Sequence, residues 1–144
     1  NVYGMATLLS PNGESVLYSR GNKDGVGLII YNKKDKKYTD TKINTLVEKC
    51  VWTNDSLYIY CGVPDNWSTG IYPDIWYQGE SHFTDSLWRI DATGIFGNTK
   101  LENVSQTGEE NIDIIKPQIS VTNQYLYFIN KNNLSFWQYN ISGI

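Results

Sequence analysis

The 144-residue chain is short of the residues from which catalytic and metal sites are usually built. It has a single histidine, His82, and two cysteines, Cys50 and Cys61. A zinc site from those three would lack paired ligand spacing and a clear fourth ligand. No Gly-x-Ser-x-Gly elbow, Walker loop, Rossmann fingerprint or calcium loop is present. Ser81, His82 and Asp85 lie close in sequence, but such near neighbours rarely converge into a triad. Asp74 and Glu80 are carboxylates of the kind glycosidases pair, yet a solvated, turn-forming role accounts for both. Charged residues make up only 19% and the net charge is −3, which argues against a nucleic-acid footprint. No apolar run approaches the roughly 20 residues needed to cross a bilayer, and no signal-peptide pattern opens the chain. The first residue is Asn1 instead of an initiator Met, so the expectation is a piece cut from a longer product. No cofactor and no enzymatic activity are expected.

What the chain does have is apolar and aromatic weight: 40% hydrophobic residues, with eleven Tyr and five Trp. Together with abundant Val, Ile and Thr, that balance favours strands over helices. Short runs separated by turn residues bear this out along the chain. Ala6–Ser10 leads into Pro11-Asn12-Gly13, followed by Ser15–Ser19, a polar turn over Asn22–Gly25, and Gly27–Tyr31. A lysine-rich tip, Lys33-Lys34-Asp35-Lys36-Lys37, precedes an extended Tyr38–Ile43. On an acidic chain that tip reads as a solvated hairpin turn. No stretch carries a 3.6-residue apolar stripe bounded by caps. The predicted class is all-β.

The pattern repeats. Leu9-Ser10-Pro11-Asn12-Gly13 before Val16-Leu17-Tyr18 returns as Trp52-Thr53-Asn54-Asp55 before Leu57–Tyr60. It returns again as Ile119–Asn123 before Leu126-Tyr127-Phe128. A later strand repeats as well: Gly27–Asn32, Ser86–Asp91 and Leu134–Asn140. In the middle unit these two strands are held apart by an insertion, Gly62–Asp85. Without it, the spacing approaches the roughly 40–50 residues of a four-stranded propeller blade. The predicted units are blade 1 at about 1–46, blade 2 at about 47–110 with insertion 62–85, and blade 3 at about 111–144. Tyr38–Ile43 and Thr99–Ser105 serve as outer strands of the first two, and the third has none.

Ser10-Pro11-Asn12-Gly13, the strand after it and Leu28-Ile29-Ile30-Tyr31-Asn32 resemble the TolB-like and WD-repeat-like β-propellers. In those proteins the arrangement reads Ser-Pro-Asp-Gly, a strand, then a Leu/Ile-Tyr/Trp strand ending in Asp or Asn. Glu48-Lys49-Cys50-Val51-Trp52 and Tyr72–Gly79 are similar to segments of uncharacterised bacterial propeller proteins. The second and third turns depart from the pattern, having lost its Pro-Asp-Gly core. The resemblance implies a scaffold and leaves function open, since its members include periplasmic scaffolds and propeller parts of peptidases. Three blades also cannot close a ring of four to eight. At roughly 25 cal/mol per Å², several hundred Å² of bare apolar face forfeits on the order of 10 kcal/mol. Either the remaining blades lie in other sequence, or a second copy supplies them and a homodimer forms a six-bladed ring. A β-sandwich is the structural rival.

In a meander, alternate connections share a rim, so Asn22–Gly25, Asn44–Val47, the insertion, Gln106–Ile114 and Lys131–Asn133 should cluster. The insertion is the sharpest local feature, with Trp67, Tyr72, Asp74, Trp76, Tyr77, Glu80 and His82 as candidate binding residues. Aromatics on such a loop stack against sugars or anchor a protein partner. In the other reading, Trp67 and Trp76 fold back as a private mini-core that pins the loop. Cys50 and Cys61 would sit on a hairpin turning at Asn54-Asp55, diagonally offset by roughly 7–8 Å. They are either two buried thiols or a disulfide, the latter implying an oxidising compartment. Asn-x-Ser spacing at Asn54, Asn66, Asn103, Asn133 and Asn140 matters only in a eukaryotic secreted context. The favoured expectation is a non-enzymatic binding or scaffolding module of a bacterial protein, outside the cytoplasm, recognising a protein or carbohydrate-like ligand. The alternative is a carbohydrate-active propeller enzyme, or the non-catalytic propeller of a peptidase.

Overall fold

The structure, a computed structural model, describes residues 5–22, 25–102 and 111–144. Three antiparallel sheets follow one another along the chain. The first is a meander of β1 (Thr7–Leu9), β2 (Ser15–Asn22), β3 (Gly25–Asn32) and β4 (Lys37–Asn44). The second repeats it with β5 (Cys50–Trp52), β6 (Tyr58–Pro64), β7 (Asp85–Asp91) and β8 (Asn98–Glu102). The third has β9 (Ile114–Ile119), β10 (Tyr125–Asn130) and β11 (Phe136–Asn140). Of the predicted outer strand Thr99–Ser105, residues 103–105 lie outside the described residues, as do residues 23–24 and 106–110 of two predicted rim connections.

Alternation explains the stacking. In β3, Val26, Leu28 and Ile30 point inward, and in β10 Leu126, Phe128 and Asn130 do the same. Leu17, Leu28, Ile30, Trp52, Ile59 and Ile90 fill the space between the first two sheets. Tyr60, Leu87, Ile114, Leu126 and Phe128 fill the space between the second and third. The outer faces of the two end sheets carry exposed apolar residues. Leu9, Val16, Tyr31 and Tyr38 form one cross-strand row on the first, with Leu9 and Tyr38 exposed. On the third, Tyr127 stacks on an exposed Phe136 with ring centroids 5.9 Å apart.

The three repeated turns share one hydrogen-bond scheme although their sequences differ. The N–H of the fourth residue donates to the carbonyl of the first, Gly13 to Ser10, Ser56 to Thr53 and Asn123 to Ser120, each at 2.9 Å. All three fourth residues have positive φ, at 73°, 63° and 55°. Gly fills that place without steric cost, whereas Ser56 and Asn123 hold it as non-glycine residues. The hydroxyl at the first position does the common work. Ser10, Thr53 and Ser120 each accept a strand N–H, from Ser15, Tyr58 and Tyr125 at 2.9, 3.0 and 3.0 Å. Neighbouring turns then join hands around the rim. Asn12 N–H donates to Ser56 Oγ at 3.1 Å, and Asn54 donates to Asn123 and to the Ser120 and Val121 carbonyls. The three sheets are thus arrayed about one side, with β1, β5 and β9 as their first strands.

The cysteine hairpin corrects one expectation. Its turn runs through four residues, Asn54 to Leu57, between Thr53 and Tyr58, not the two at Asn54-Asp55, so the register moves by two. Cys50 stands directly opposite Cys61 with Cα atoms 4.1 Å apart, and the two form a disulfide.

Candidate functional site

The insertion folds onto its own blade and the next one. After β6 it runs across the sheet edge, makes one helical turn, α1 (Asp74–Tyr77), and returns to β7. Its rings pack on one another: the Trp67 centroid lies 4.6 Å from Tyr72 and 5.0 Å from Phe83. Tyr72, Trp76 and Phe83 are buried together with Val26 and Leu46. The Tyr72 hydroxyl meets the Ser81 hydroxyl at 3.0 Å. Trp67, Tyr72 and Trp76 therefore build a mini-core, while Asp74, Tyr77, Glu80 and His82 face solvent. Gly25 lies against the Trp67 ring, and Asn132 reaches the Phe83 and Asn111 carbonyls. This gathers one hairpin turn of each flanking blade around the loop.

Beneath the mini-core sits a fully buried ion cluster. Lys49 ends a short 3₁₀ turn, Val47–Lys49, and its ammonium is enclosed on all sides. It donates to Asp85 Oδ2 at 2.6 Å, to Asp113 Oδ1, and to the Ile114 carbonyl at 3.2 Å. The rings of Phe83 and Trp76 lie 5.0 and 5.2 Å from it. Asp113 also accepts the Trp76 indole N–H at 2.9 Å and the Phe83 N–H at 3.1 Å. Asp85 Oδ2 accepts the Ile114 N–H at 2.7 Å, whereas Oδ1 is buried with no partner. Burial, above all, pushes the Asp85 carboxyl up to about 6; Lys49 opposes that shift and Asp113 adds to it. The cluster draws on blade 2, its insertion and blade 3, so it ties together the parts that carry the loop. Gly62 is required beside it: a Cβ there would lie 2.8 Å from Ile114 Cβ and 2.9 Å from Asp85 Oδ2.

Next to this cluster a cavity of about 420 Å³ opens to the surface, lined by Glu48, Trp76, Tyr77, Ile115, Lys116 and Lys131. Its surface is mostly apolar. Lys131 stands 5.2 Å from the Trp76 ring, and the Tyr77 hydroxyl donates to Glu48 Oε1. Glu48 Oε2 is buried without a partner, and burial raises the Glu48 carboxyl above its usual range. A second cleft of about 410 Å³ is lined by His82, Phe83, Thr84 and four asparagines, among them Asn111 and Asn130. Of the predicted residues, Trp76 and Tyr77 meet at the first cavity and His82 lines the second. Asp74 and Glu80 line neither. His82 is exposed, Asp85 is occupied by Lys49 and Ser81 by Tyr72, so the three form no relay. Sequence reasoning placed Asp113 and Lys131 in rim segments expected to gather with the insertion, but named neither as a site residue, nor Glu48, Lys49 or Lys116. A further signal was a lysine inside the apolar run Leu46–Trp52, which an exposed face does not explain.

No family model matches the chain, and no curated protein matches it in sequence. Solved structures do match its shape. TolB from Acinetobacter baumannii superposes with a TM-score of 0.63 at 8% identity, covering 96% of this chain and 30% of that one. The fold is a β-propeller arc of three blades. A structural genomics protein of unknown function from Bacteroides thetaiotaomicron gives 0.61 at 16% identity, covering 99% of this chain and 29% of that one. The chain thus spans less than a third of either neighbour's length. The likeness is to a TolB-like fold and singles out no WD-repeat family.

Proposed function

We propose that this propeller arc is a non-enzymatic, protein-binding module that recognises its partner on the insertion side, at the cavity between α1 and β9. The observation that carries this reading is the cavity itself. Its walls are aromatic and aliphatic, its charged groups sit at fixed places, and Tyr77 on its edge remains more than half exposed (56%). Concave apolar surface with a few placed polar groups is how binding sites are built. Among the described residues no group of three or more His, Cys, Asp or Glu side chains is arranged to hold a metal ion.

A carbohydrate-like ligand fits less well. The asparagine cleft would be its place, yet the Asn130 and Asn132 amides are engaged within the protein. Asn130 Oδ1 accepts the Asp113 and Asn132 N–H groups, and the Asn130 and Asn132 side chains both donate to the Asn111 carbonyl. The disulfide favours an oxidising compartment, consistent with a location outside the cytoplasm.

Selection from a random peptide library displayed on phage, with the peptides' carboxyl ends blocked by the coat protein, tests the reading. Tyr77→Ala should lose the selected binders at least tenfold while its thermal melt stays unchanged. Binders that tolerate Tyr77→Ala would remove the cavity from the site, and an empty selection, if peptides with free carboxyl ends also fail to bind, would count against protein recognition on this face. Trp67 and Trp76 are unsuitable for this test, since their replacement would unpack the mini-core.

A further inference from the structure

We propose that the cavity between α1 and β9 captures the free carboxyl terminus of a partner polypeptide that ends in a large apolar side chain. This rests on the protein-binding reading and adds the chemistry of the partner. Three demands of the cavity meet in that one group.

The first demand is for an anion. Lys116 and Lys131 both line the cavity, and among the described residues neither has a carboxylate within ion-pair distance. Both are placed by the backbone. Lys131 N–H donates to the Asp113 carbonyl at 2.8 Å, which sets the residue beside Trp76. Lys116 lies where the β9–β10 register shifts, with φ +50° and Pro117 after it. Such bulges re-aim a side chain, and a non-glycine residue at positive φ is held there at a cost. β9 is an edge strand of its sheet, so Pro117 removes no ladder bond from an inner strand.

The second demand is for one hydrogen-bond donor. Glu48 Oε1 is occupied by Tyr77, and Oε2 is buried with nothing to accept from. A buried acceptor left empty is costly, and filling it is correspondingly favourable. The third demand is for apolar bulk against Trp76, Tyr77 and Ile115, in a volume at the lower end of ligand sites.

A carboxy-terminal residue carries the carboxylate, one backbone N–H and the side chain on a single Cα. Capture of chain ends is a recurring mode of peptide recognition. A cationic ligand would have to pass two ammonium groups. A phosphate would bring no apolar bulk to the wall of Trp76, Tyr77 and Ile115. A free amino acid offers an ammonium that seeks three acceptors, where the cavity has one to give.

The test uses the chain with fluorescein-labelled pentapeptides ending in Leu, Ile, Phe, Tyr or Trp, each made as free acid and as amide, read by fluorescence anisotropy. The free acids should bind at least tenfold tighter than the amides, and that ratio should fall as salt is raised. Lys116→Met and Lys131→Met should each lower the acid-to-amide ratio at least threefold. Should a lysine variant fold poorly, the salt dependence of the unaltered protein still decides. Equal binding of acid and amide overturns the proposal and leaves protein recognition standing. Competition by free phenylalanine at the same concentrations as the peptide overturns the chain end as occupant. If neither peptide series binds and the phage selection is empty too, both readings fall.

Discussion

Replacing Lys49 by methionine keeps an unbranched side chain, one atom shorter, and removes its charge. The ammonium has no exposure, and it stands between Asp85 and Asp113, both equally buried. Breaking a buried ion pair from one side costs about 3–5 kcal/mol, because the other charge is left without a partner. Here two carboxylates are left, facing one another. Set against the roughly 5–15 kcal/mol that holds a domain of this size, Lys49→Met should remove about a fifth of the stability or more. Tryptophan fluorescence against urea at pH 7.5 reads this directly, as a lower midpoint with an unchanged slope. The loss should shrink at pH 5, where one carboxyl takes up a proton and ends the repulsion. Adding Asp85→Asn to Lys49→Met should restore part of the loss, since Asp113 keeps its bonds from Trp76 and Phe83. A Lys49→Met chain that unfolds within about 1 kcal/mol of the original at both pH values would refute the reasoning.

Asp85 gives the unaltered protein its own pH signature. Its folded pKa of about 6 lies above the ordinary 3.8, so its contribution is fully present below pH 3.8 and is lost as pH rises through 6. Holding the carboxyl at about 6 in place of 3.8 corresponds to roughly 3 kcal/mol, and Asp85→Asn should flatten the urea-derived stability between pH 4 and 7 by about that amount. Reducing the Cys50–Cys61 disulfide reopens a loop of eleven residues' separation and should cost about 3 kcal/mol on the loop-entropy account, seen as a lower melting temperature with dithiothreitol. Gly62→Ala drives a methyl into Ile114 and the Asp85 carboxylate and should destabilise by about 1–3 kcal/mol, measured by the same urea titration.

The blade plan was open to reading because it is written in local signals. A hydroxyl residue, a short turn and an alternating strand recur three times, and the turns keep their hydrogen bonds even where Pro-Asn-Gly has become Asn-Asp-Ser or Val-Thr-Asn. The cysteine register was misplaced because Ser56 takes positive φ without being glycine, which lengthens the turn in a way its composition does not announce. The insertion's aromatics were visible, but their burial follows from contacts to Val26 and Leu46, residues of other segments. Lys49, Asp85 and Asp113 are 36 and 28 residues apart in turn, and no local pattern joins them. Glu48 and Lys116 face one cavity only because a 3₁₀ turn and a β-bulge, 68 residues apart, bring them together.

The buried cluster and the open cavity are one device seen from two sides. Asp113 holds Trp76 through its carboxylate and Lys131 through its carbonyl, so the aromatic wall and the ammonium beside it hang from the same residue. Glu48 and Lys49 are consecutive, hence the carboxyl in the cavity and the cation in the core move with the same turn of backbone. Any change that loosens Lys49 from Asp113 must therefore also shift Trp76 against Lys131. A protein that needed only stability at this place would gain as much from apolar residues of equal volume. The ion cluster adds direction, since charged hydrogen bonds fix the angle of the indole and the position of the loop that bears Tyr77. If the proposed partner binds here, a rim fixed in this way would lower the ordering cost of association.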